Sequence, residues 1–192
     1  MKRDDDKHER RTAVDKVADE SDRALLILDM SVERVRGSAA VVGANQIVRF
    51  IQGELRYFRE RGRLVVFANT VGDNQQDDVV IPELTPRSNE VRMRLSSPSA
   101  FFDTNLHELL QKQAVRRLTL VGLETHTAVL QTASDAFARG YEVVVPDPCV
   151  CANDDVAHQA ALLLLRTSWT STAQLSDVGL VASTSVLLRR DL

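Results

Sequence analysis

The stretch ALLILDM, residues 24–30, is apolar from its first residue until it reaches Asp29. An unbroken apolar run of this length is typical of a strand that is buried on both faces of a parallel sheet. Apolar runs of the same kind occur at RLVVFAN (63–69), RLTLVG (117–122) and YEVVVP (141–146). These four segments predict a mainly parallel sheet with Asp29 at the carboxyl end of its first strand.

Segments with helical periodicity separate the predicted strands. From Ser38 to Gly62, apolar residues recur at three- and four-residue spacings, which predicts a long amphipathic helix between a serine N-cap and a glycine C-cap. Shorter helices are predicted over 105–114, 126–139 and 154–166, followed by a short strand at 179–182 and a terminal helix. The alternation of strands and helices predicts a doubly wound α/β fold, in which helices flank the sheet on both sides.

The composition argues for one domain and against several kinds of partner. A chain of 192 residues is long enough to bury about 70% of the surface that its unfolded form exposes. Its 24 basic and 27 acidic residues give a net charge of -3, so neither a nucleic acid nor a membrane is an expected partner. The eight glycines form no nucleotide-binding fingerprint, and no nucleotide cofactor is expected.

The amino-terminal segment differs in character from the rest of the chain. Residues 1–21 are polar with mixed charge, which predicts a flexible arm ahead of a folded domain at 22–192. This arm has no apolar stretch suited to a signal peptide or a membrane anchor. Cys149 and Cys151 lie one residue apart, too close to close a long loop and without the partners of a zinc site. These features favour a reduced, cytoplasmic setting.

Candidate functional residues follow the predicted strands, because ligands of open α/β sheets bind beyond the carboxyl ends of the strands. Asp29, the turn 124–126 and Asp147 all lie at such ends. The long polar stretch 71–99 is a further candidate for an active-site loop. Spacing alone leaves two interpretations of Asp29 open, an active-site carboxylate or an acceptor that caps a nearby helix or loop.

Three motifs follow one another along the chain: ALLILDM, SAFFDTNL (99–106) and GLETHTAVLQTASDAFARGYEVVVPD (122–147). Together they resemble the isochorismatase-like hydrolases of the cysteine hydrolase superfamily. The resemblance covers about residues 22–190. It implies a small-molecule substrate, no cofactor, no metal, and assembly into a homodimer or homotetramer.

The resemblance also implies a set of catalytic positions. Most members of the family use an aspartate, a lysine and a cysteine nucleophile at the start of the helix that follows the third strand. Asp29 falls on the aspartate position, whereas Ala128 falls on the cysteine position. Because a methyl group cannot attack a carbonyl, cysteine-dependent amide hydrolysis is disfavoured. Cys149 and Cys151 follow a different strand and are interpreted as structural thiols.

In chemistry, the chain is most similar to the isochorismatases that lack the cysteine. These enzymes hydrolyse the vinyl ether of isochorismate to pyruvate and a dihydroxy-cyclohexadiene carboxylate. Protonation of the methylene carbon gives an oxocarbenium ion, which water captures without an enzyme nucleophile. The resemblance therefore implies that Asp29 is the general acid, kept protonated by a partly desolvated pocket, and that Ala128 leaves room for the substrate.

The family lysine, which comes a few residues before Ser-Ala-Phe, has no equivalent here, since the stretch 91–98 contains none. Arg94 is the first candidate to replace it and Arg92 is the second. An arginine can clamp the carboxylates of isochorismate bidentately, although it cannot give up its proton. The alternative is a pair of arginines that face solvent on an edge strand, which would point to a degenerate site.

Further substrate contacts are predicted around Asp29. Phe101 is assigned to the pocket wall or the core, and the turn from Leu123 to Ala128 to the pocket wall and its backbone donors. Glu124 lies within that turn. His126 resembles a histidine of the isochorismatases, but it also fits a role in hydrogen bonding within the turn.

Two alternatives to an isochorismatase remain open. A catalytically silent homologue that serves as a binding or scaffold protein is favoured by the missing lysine and opposed by the retained Asp29. An amidase whose cysteine has been replaced at Ala128 by engineering is opposed by the missing lysine, because a single inactivating change would have left that lysine in place.

Overall fold

The structure is a computed structural model that describes residues 20–71, 78–167 and 185–188. Its strands are β1 Arg23–Leu28, β2 Leu64–Thr70, β3 Val91–Leu95, β4 Arg117–Leu123, β5 Glu142–Pro146, β6 Val150–Cys151 and β7 Ser185–Leu188. Its helices are α1 Val32–Arg36, α2 Ala44–Glu60, α3 Leu106–Lys112, α4 Leu130–Ala138 and α5 Asp155–Thr167. One turn of π-helix, Thr125–Val129, leads into α4.

The strands form one sheet in the order β3-β2-β1-β4-β5-β7. Neighbours from β3 to β5 are parallel, β7 is antiparallel to β5, and β6 pairs with β4 beyond the end of β5. The chain winds outward from β1 through β2 to β3 and then returns to start the other half at β4. The strand order therefore reverses between β1 and β4, where ligands of such folds bind.

Apolar side chains of the central strands enter two cores, one on each face of the sheet. Along β1, Leu26 and Leu28 contact the core built with α3, α4 and α5, whereas Leu25 and Ile27 contact the core built with α1 and α2. Burial on both faces explains why this strand is apolar without alternation. The predicted doubly wound α/β fold with helices on both sides is confirmed.

The predicted loop region at 71–99 contains a strand. In β3, Met93 and Leu95 are buried and Arg92 and Arg94 are exposed. This alternation is typical of a strand with one buried face, and it lies at the edge of the sheet. The alternative interpretation of the two arginines, as a pair with exposed side chains on an edge strand, is therefore confirmed.

The start of one helix and the presence of another also differ from the prediction. The long helix starts at Ala44, after Gly43 at φ 82°, because the Ser38 hydroxyl donates to Glu33 Oε1 instead of capping the helix. The short helix α1 was not predicted, although its N-cap Ser31 accepts a hydrogen bond from the Arg34 N–H at 3.3 Å.

Several predictions concern the ends of the chain. The strand at 179–182 and almost all of the arm at 1–21 lie outside the described residues. The prediction of a helix at the carboxyl terminus is wrong for 185–188, which form β7 along β5. Among the helices within the described ranges, none has both the length and the hydrophobicity needed to cross a bilayer.

Candidate active site

Asp29 immediately follows β1, and its backbone adopts φ 56°. Its N–H donates to the carbonyl oxygen of Ala68 at 3.0 Å, which keeps the chain attached to β2 past the end of the strand. The Thr70 N–H donates to Asp29 Oδ1 at 2.6 Å and the Thr70 hydroxyl donates to Oδ2 at 3.2 Å. Both carboxyl oxygens are thus oriented by one residue of the neighbouring strand.

Burial raises the pKa of the Asp29 carboxyl above its usual value. The side chain is only 4% exposed, so ionisation loses most of the stabilisation that water would give. The hydrogen bonds from Thr70 and the charge of Arg34 oppose this increase in pKa, and the charge of Glu124 adds to it. Asp29 therefore keeps its proton to a higher pH than an exposed aspartate.

The end of β4 lies directly beside the end of β1 because Gly122 allows it. Gly122 has φ 127°, and a Cβ at this position would lie 2.0 Å from the carbonyl oxygen of Leu28. Two residues later, Glu124 also adopts a left-handed backbone conformation, with φ 59° and ψ 64°. Such conformations in non-glycine residues are uncommon and are frequent at functional sites. Asp29 and Glu124 thus turn the chain sharply at the point where the strand order reverses.

A cavity of about 340 Å³ lies at this point. Asp29, Thr70, Glu124 and Ala128 come to it from the ends of β1, β2 and β4 and from the π turn. Its remaining lining residues are Glu33, Arg34, Ala39, Pro98 and Thr127. The predicted general acid, the alanine at the cysteine position and the acidic residue of the predicted turn are therefore brought together.

Glu124 is the centre of the polar contacts in this cavity. Arg34 Nη2 donates to Glu124 Oε1 at 2.7 Å, and the two side chains are 30% and 16% exposed. The other carboxylate oxygen, Oε2, lies 3.8 Å from His126 Nδ1. The backbone carbonyl oxygen of Glu124 accepts from the N–H groups of Thr127 and Val129. The N–H of Thr127, predicted among the backbone donors of the turn, is thus already engaged within it.

Arg94 and Arg92 do not line this cavity. Arg94 Nε donates to Asp78 Oδ2 at 3.1 Å and Arg92 Nη2 donates to the Asp78 carbonyl oxygen at 3.1 Å, both near the edge of the sheet. The Arg94 side chain is 55% exposed. Strand alternation explains this placement: the β3 residue in register with Thr70 is Leu95, whose side chain enters the core. The cation expected from this segment is not beside Asp29.

The other predicted contacts divide between the core and the margin of the site. Phe101 stacks on Tyr141 with ring centroids 5.9 Å apart, inside a core, and does not line the cavity. Leu123 is fully buried in the opposite core. His126 lies next to the cavity lining, and its buried Nδ1 has no hydrogen-bond partner in the described part of the chain.

Sequence reasoning missed Arg34 and Thr70. Thr70 ends the strand beside β1, so the rule that identified Asp29 also applied to it. The signal for Arg34 is weaker, because it depends on reading Ser31 as the cap of a helix with only five residues.

Two further contacts hold the surroundings of the site in place. His158 Nδ1 lies 2.8 Å from Thr125 Oγ1, which connects α5 to the π turn. Asp147, the third candidate at a strand end, forms an ion pair with Arg166 and is not among the residues that line the cavity. Within the described residues, no group of three or more histidine, cysteine or acidic side chains could hold a metal ion.

Comparison with known proteins identifies the family. A family model described as the isochorismatase domain matches residues 23–177. The uncharacterized isochorismatase family protein YaaI of Bacillus subtilis (strain 168) is 26% identical over 162 residues, covering 76% of this chain and 90% of that protein. The secreted isochorismatase effector Isc1 of Verticillium dahliae is 33% identical over 99 residues, covering 52% of this chain and 50% of that protein.

A solved structure supports the same assignment. N-carbamoylsarcosine amidase from Thermoplasma acidophilum superposes with a TM-score of 0.69 at 25% identity, covering 76% of this chain and 91% of that chain. The fold, with a buried carboxyl where the strand order reverses, defines a hydrolase of the isochorismatase-like class. The chain belongs to the isochorismatase family, since the family model spans most of its length.

Proposed function

We propose that this hydrolase cleaves the vinyl ether of isochorismate, with Asp29 as the general acid. The observation that carries the proposal is the Asp29 carboxyl itself, which is buried at the cavity wall with a raised pKa. A protonated carboxyl next to a cavity can deliver a proton to carbon, the demanding step of this reaction.

The reaction needs a proton and a water molecule. The Asp29 proton passes to the methylene carbon, and the ether carbon becomes an oxocarbenium ion. Water adds to that carbon and releases one of its two protons. In the resulting hemiketal, the other proton moves to the ring oxygen as the bond between that oxygen and the former ether carbon breaks. The products are pyruvate and a dihydroxy-cyclohexadiene carboxylate, and one proton returns to Asp29. The two Thr70 donors would hold the Asp29 carboxylate in place between these steps.

Amide hydrolysis, the activity in the name of the Thermoplasma acidophilum structure, has less support. Ala128 offers no nucleophile in the cavity lining. Burial raises the pKa of the fully buried Cys149 thiol, and burial together with the charge of Glu124 raises the pKa of Cys151 to about 11. Since the thiolate is the reactive form, neither cysteine is a suitable substitute nucleophile near neutral pH.

The test is to incubate the full chain with isochorismate and to measure pyruvate release. Nicotinamide and N-carbamoylsarcosine, assayed for ammonia release, provide the comparison. We expect pyruvate from isochorismate and no ammonia above background from either amide. Ammonia release without pyruvate would support an amidase, and the absence of both products would support a catalytically silent binding protein.

Assembly into a homodimer or homotetramer stays a prediction. It is supported by α5, where the exposed side chains of Val156, Leu163 and Leu164 recur on one face. Sedimentation velocity should give a mass of two or four chains for the wild type. A monomer at micromolar concentration would contradict the prediction.

A further inference from the structure

The ion pair between Arg34 and Glu124 lies in the wall of the cavity that also contains Asp29. Among the described residues that line this cavity, Arg34 is the sole basic side chain, whereas Asp29, Glu33 and Glu124 are acidic. A substrate anion that enters the cavity therefore has one positive charge to bind.

The backbone of Arg34 is fixed on both sides. Its N–H donates to the Ser31 hydroxyl at 3.3 Å, and its carbonyl oxygen accepts from the Val41 N–H at 2.9 Å. The guanidinium can thus change partner by side-chain rotation alone, without a shift of α1.

The contact with Glu124 engages only part of the guanidinium. One N–H, on Nη2, donates to one carboxylate oxygen, while a guanidinium has five N–H groups in a planar fork. A fork of this kind can bind a second carboxylate with two parallel hydrogen bonds. Glu124 has a second neighbour for its carboxylate, since its Oε2 lies 3.8 Å from His126 Nδ1.

We propose that Arg34 binds the carboxylate of the enolpyruvyl group, and that Glu124 is an internal competitor for the same guanidinium. This inference rests on the proposed function, because it identifies the residue that orients that substrate. In an enolpyruvyl ether, the carboxylate and the methylene group are attached to the same carbon. An arginine that holds the carboxylate therefore places the methylene carbon close to Asp29, and it selects anionic vinyl ethers over neutral amides.

Substitution of Arg34 and substitution of Glu124 should have opposite effects on carboxylate binding. Removal of the Arg34 charge removes the binding group, whereas removal of the Glu124 charge removes its competitor. An ion pair that only stabilises the fold would instead give the same sign for both changes, since either one breaks the pair.

Pyruvate is the probe, and its dissociation constant is measured with the full chain by isothermal titration calorimetry. We expect Arg34→Gln to weaken binding about 10- to 100-fold, the usual effect of losing a charge-assisted contact. Arg34→Lys should fall between this variant and the wild type. Glu124→Gln should tighten binding several-fold. Pyruvamide, which is neutral, should bind equally to all of them.

Arg36→Gln is the matched control. Arg36 lies on the same helix and pairs with Glu83 away from the cavity, so its loss removes one charge without changing the site. We expect an unchanged dissociation constant for pyruvate. Thermal unfolding of each variant checks that it is folded, and Glu124→Gln keeps the test decisive if Arg34→Gln does not fold.

An Arg34→Gln protein that binds pyruvate as the wild type does would overturn the inference, and so would weaker binding in both the Arg34 and the Glu124 variants. Failure of the proposed function looks different. If the wild type binds pyruvate through Arg34 but releases no pyruvate from isochorismate, the carboxylate site is supported and the vinyl-ether reaction is contradicted.

Discussion

Asp29 and Glu54 are two buried carboxyls, one at the end of β1 and one on α2, and they differ in what surrounds them. The side chains are 4% and 5% exposed. Burial raises the pKa of both, that of Glu54 to about 7. Asp29 accepts two hydrogen bonds from Thr70 and borders the cavity, whereas Glu54 lies on α2 near the buried Cys149 and is not among the residues that line this cavity.

The difference shows that burial by itself does not make a catalytic acid. Both carboxyls hold their protons more tightly than exposed acids, but only Asp29 is oriented by donors and next to space for a substrate. A raised pKa is useful for proton transfer only where the acid lies within reach of a substrate atom that can accept the proton. At Glu54 the same physical effect is a cost to stability.

The largest expected effect separates the two acids by activity. Asp29→Asn keeps the shape of the side chain and removes its acidic proton, so pyruvate release from isochorismate should fall about 100- to 10,000-fold. Glu54→Gln should leave the rate within about twofold of the wild type, because it does not border the cavity. Steady-state kinetics on both variants checks this, and equal rates for Asp29→Asn and the wild type would remove Asp29 from the mechanism.

The second largest effect concerns the free energy of unfolding, which should depend on the ionisation of Glu54. The pKa of Glu54 is about 7 in the folded chain and about 4.5 when exposed, so the folded state binds more protons between these values and loses stability as pH rises through them. Glu54→Gln should remove this loss and be more stable than the wild type at pH 8 by about 3 kcal/mol. Urea unfolding of the wild type and the variant at pH 5 and pH 8 measures this difference in stability. If the wild type is equally stable at pH 5 and pH 8, or if Glu54→Gln is no more stable than the wild type at pH 8, the raised pKa of Glu54 is contradicted.

The smallest effect concerns the pH dependence of Asp29. A general acid must be protonated, so the rate should decline as pH rises through the pKa of Asp29. Because the charge of Glu124 raises that pKa, Glu124→Gln should lower it and move the decline to lower pH, by about one unit or less. The profile of kcat/KM against pH measures the shift. Glu83→Gln, a surface carboxylate change, is the control, and a shift to higher pH in Glu124→Gln would contradict the assignment.

Several elements could be predicted because their signals are local. The apolar runs of β1, β2 and β4 reflect burial on both faces, and a strand end next to the reversal of strand order places Asp29 and Ala128 at one cavity. The edge strand β3 was predicted only as an alternative, because its alternating residues also resemble part of a polar loop. The assignment of Arg94 to the site was wrong because the alternation along β3 gives Arg94 an exposed side chain.

The cation of the site could not be predicted from local pattern. Arg34 and Glu124 are 90 residues apart in the chain and meet only because β1 and β4 are neighbours. The helix that carries Arg34 has five residues, too few for a periodic apolar face. Leu95, in register with Thr70, shows by contrast that a residue close to the site can face the core instead.

The sequence by itself determined the α/β class, the carboxylate at the end of the first strand and the alanine at the position of a nucleophile. These properties depend on the identity and hydrophobicity of neighbouring residues, which a linear pattern records. Only the tertiary structure decided that Arg34, and neither Arg92 nor Arg94, shares the cavity with Asp29. Charge pairing depends on strand order, register and the face to which each side chain points, and these are set by packing between segments distant in the chain.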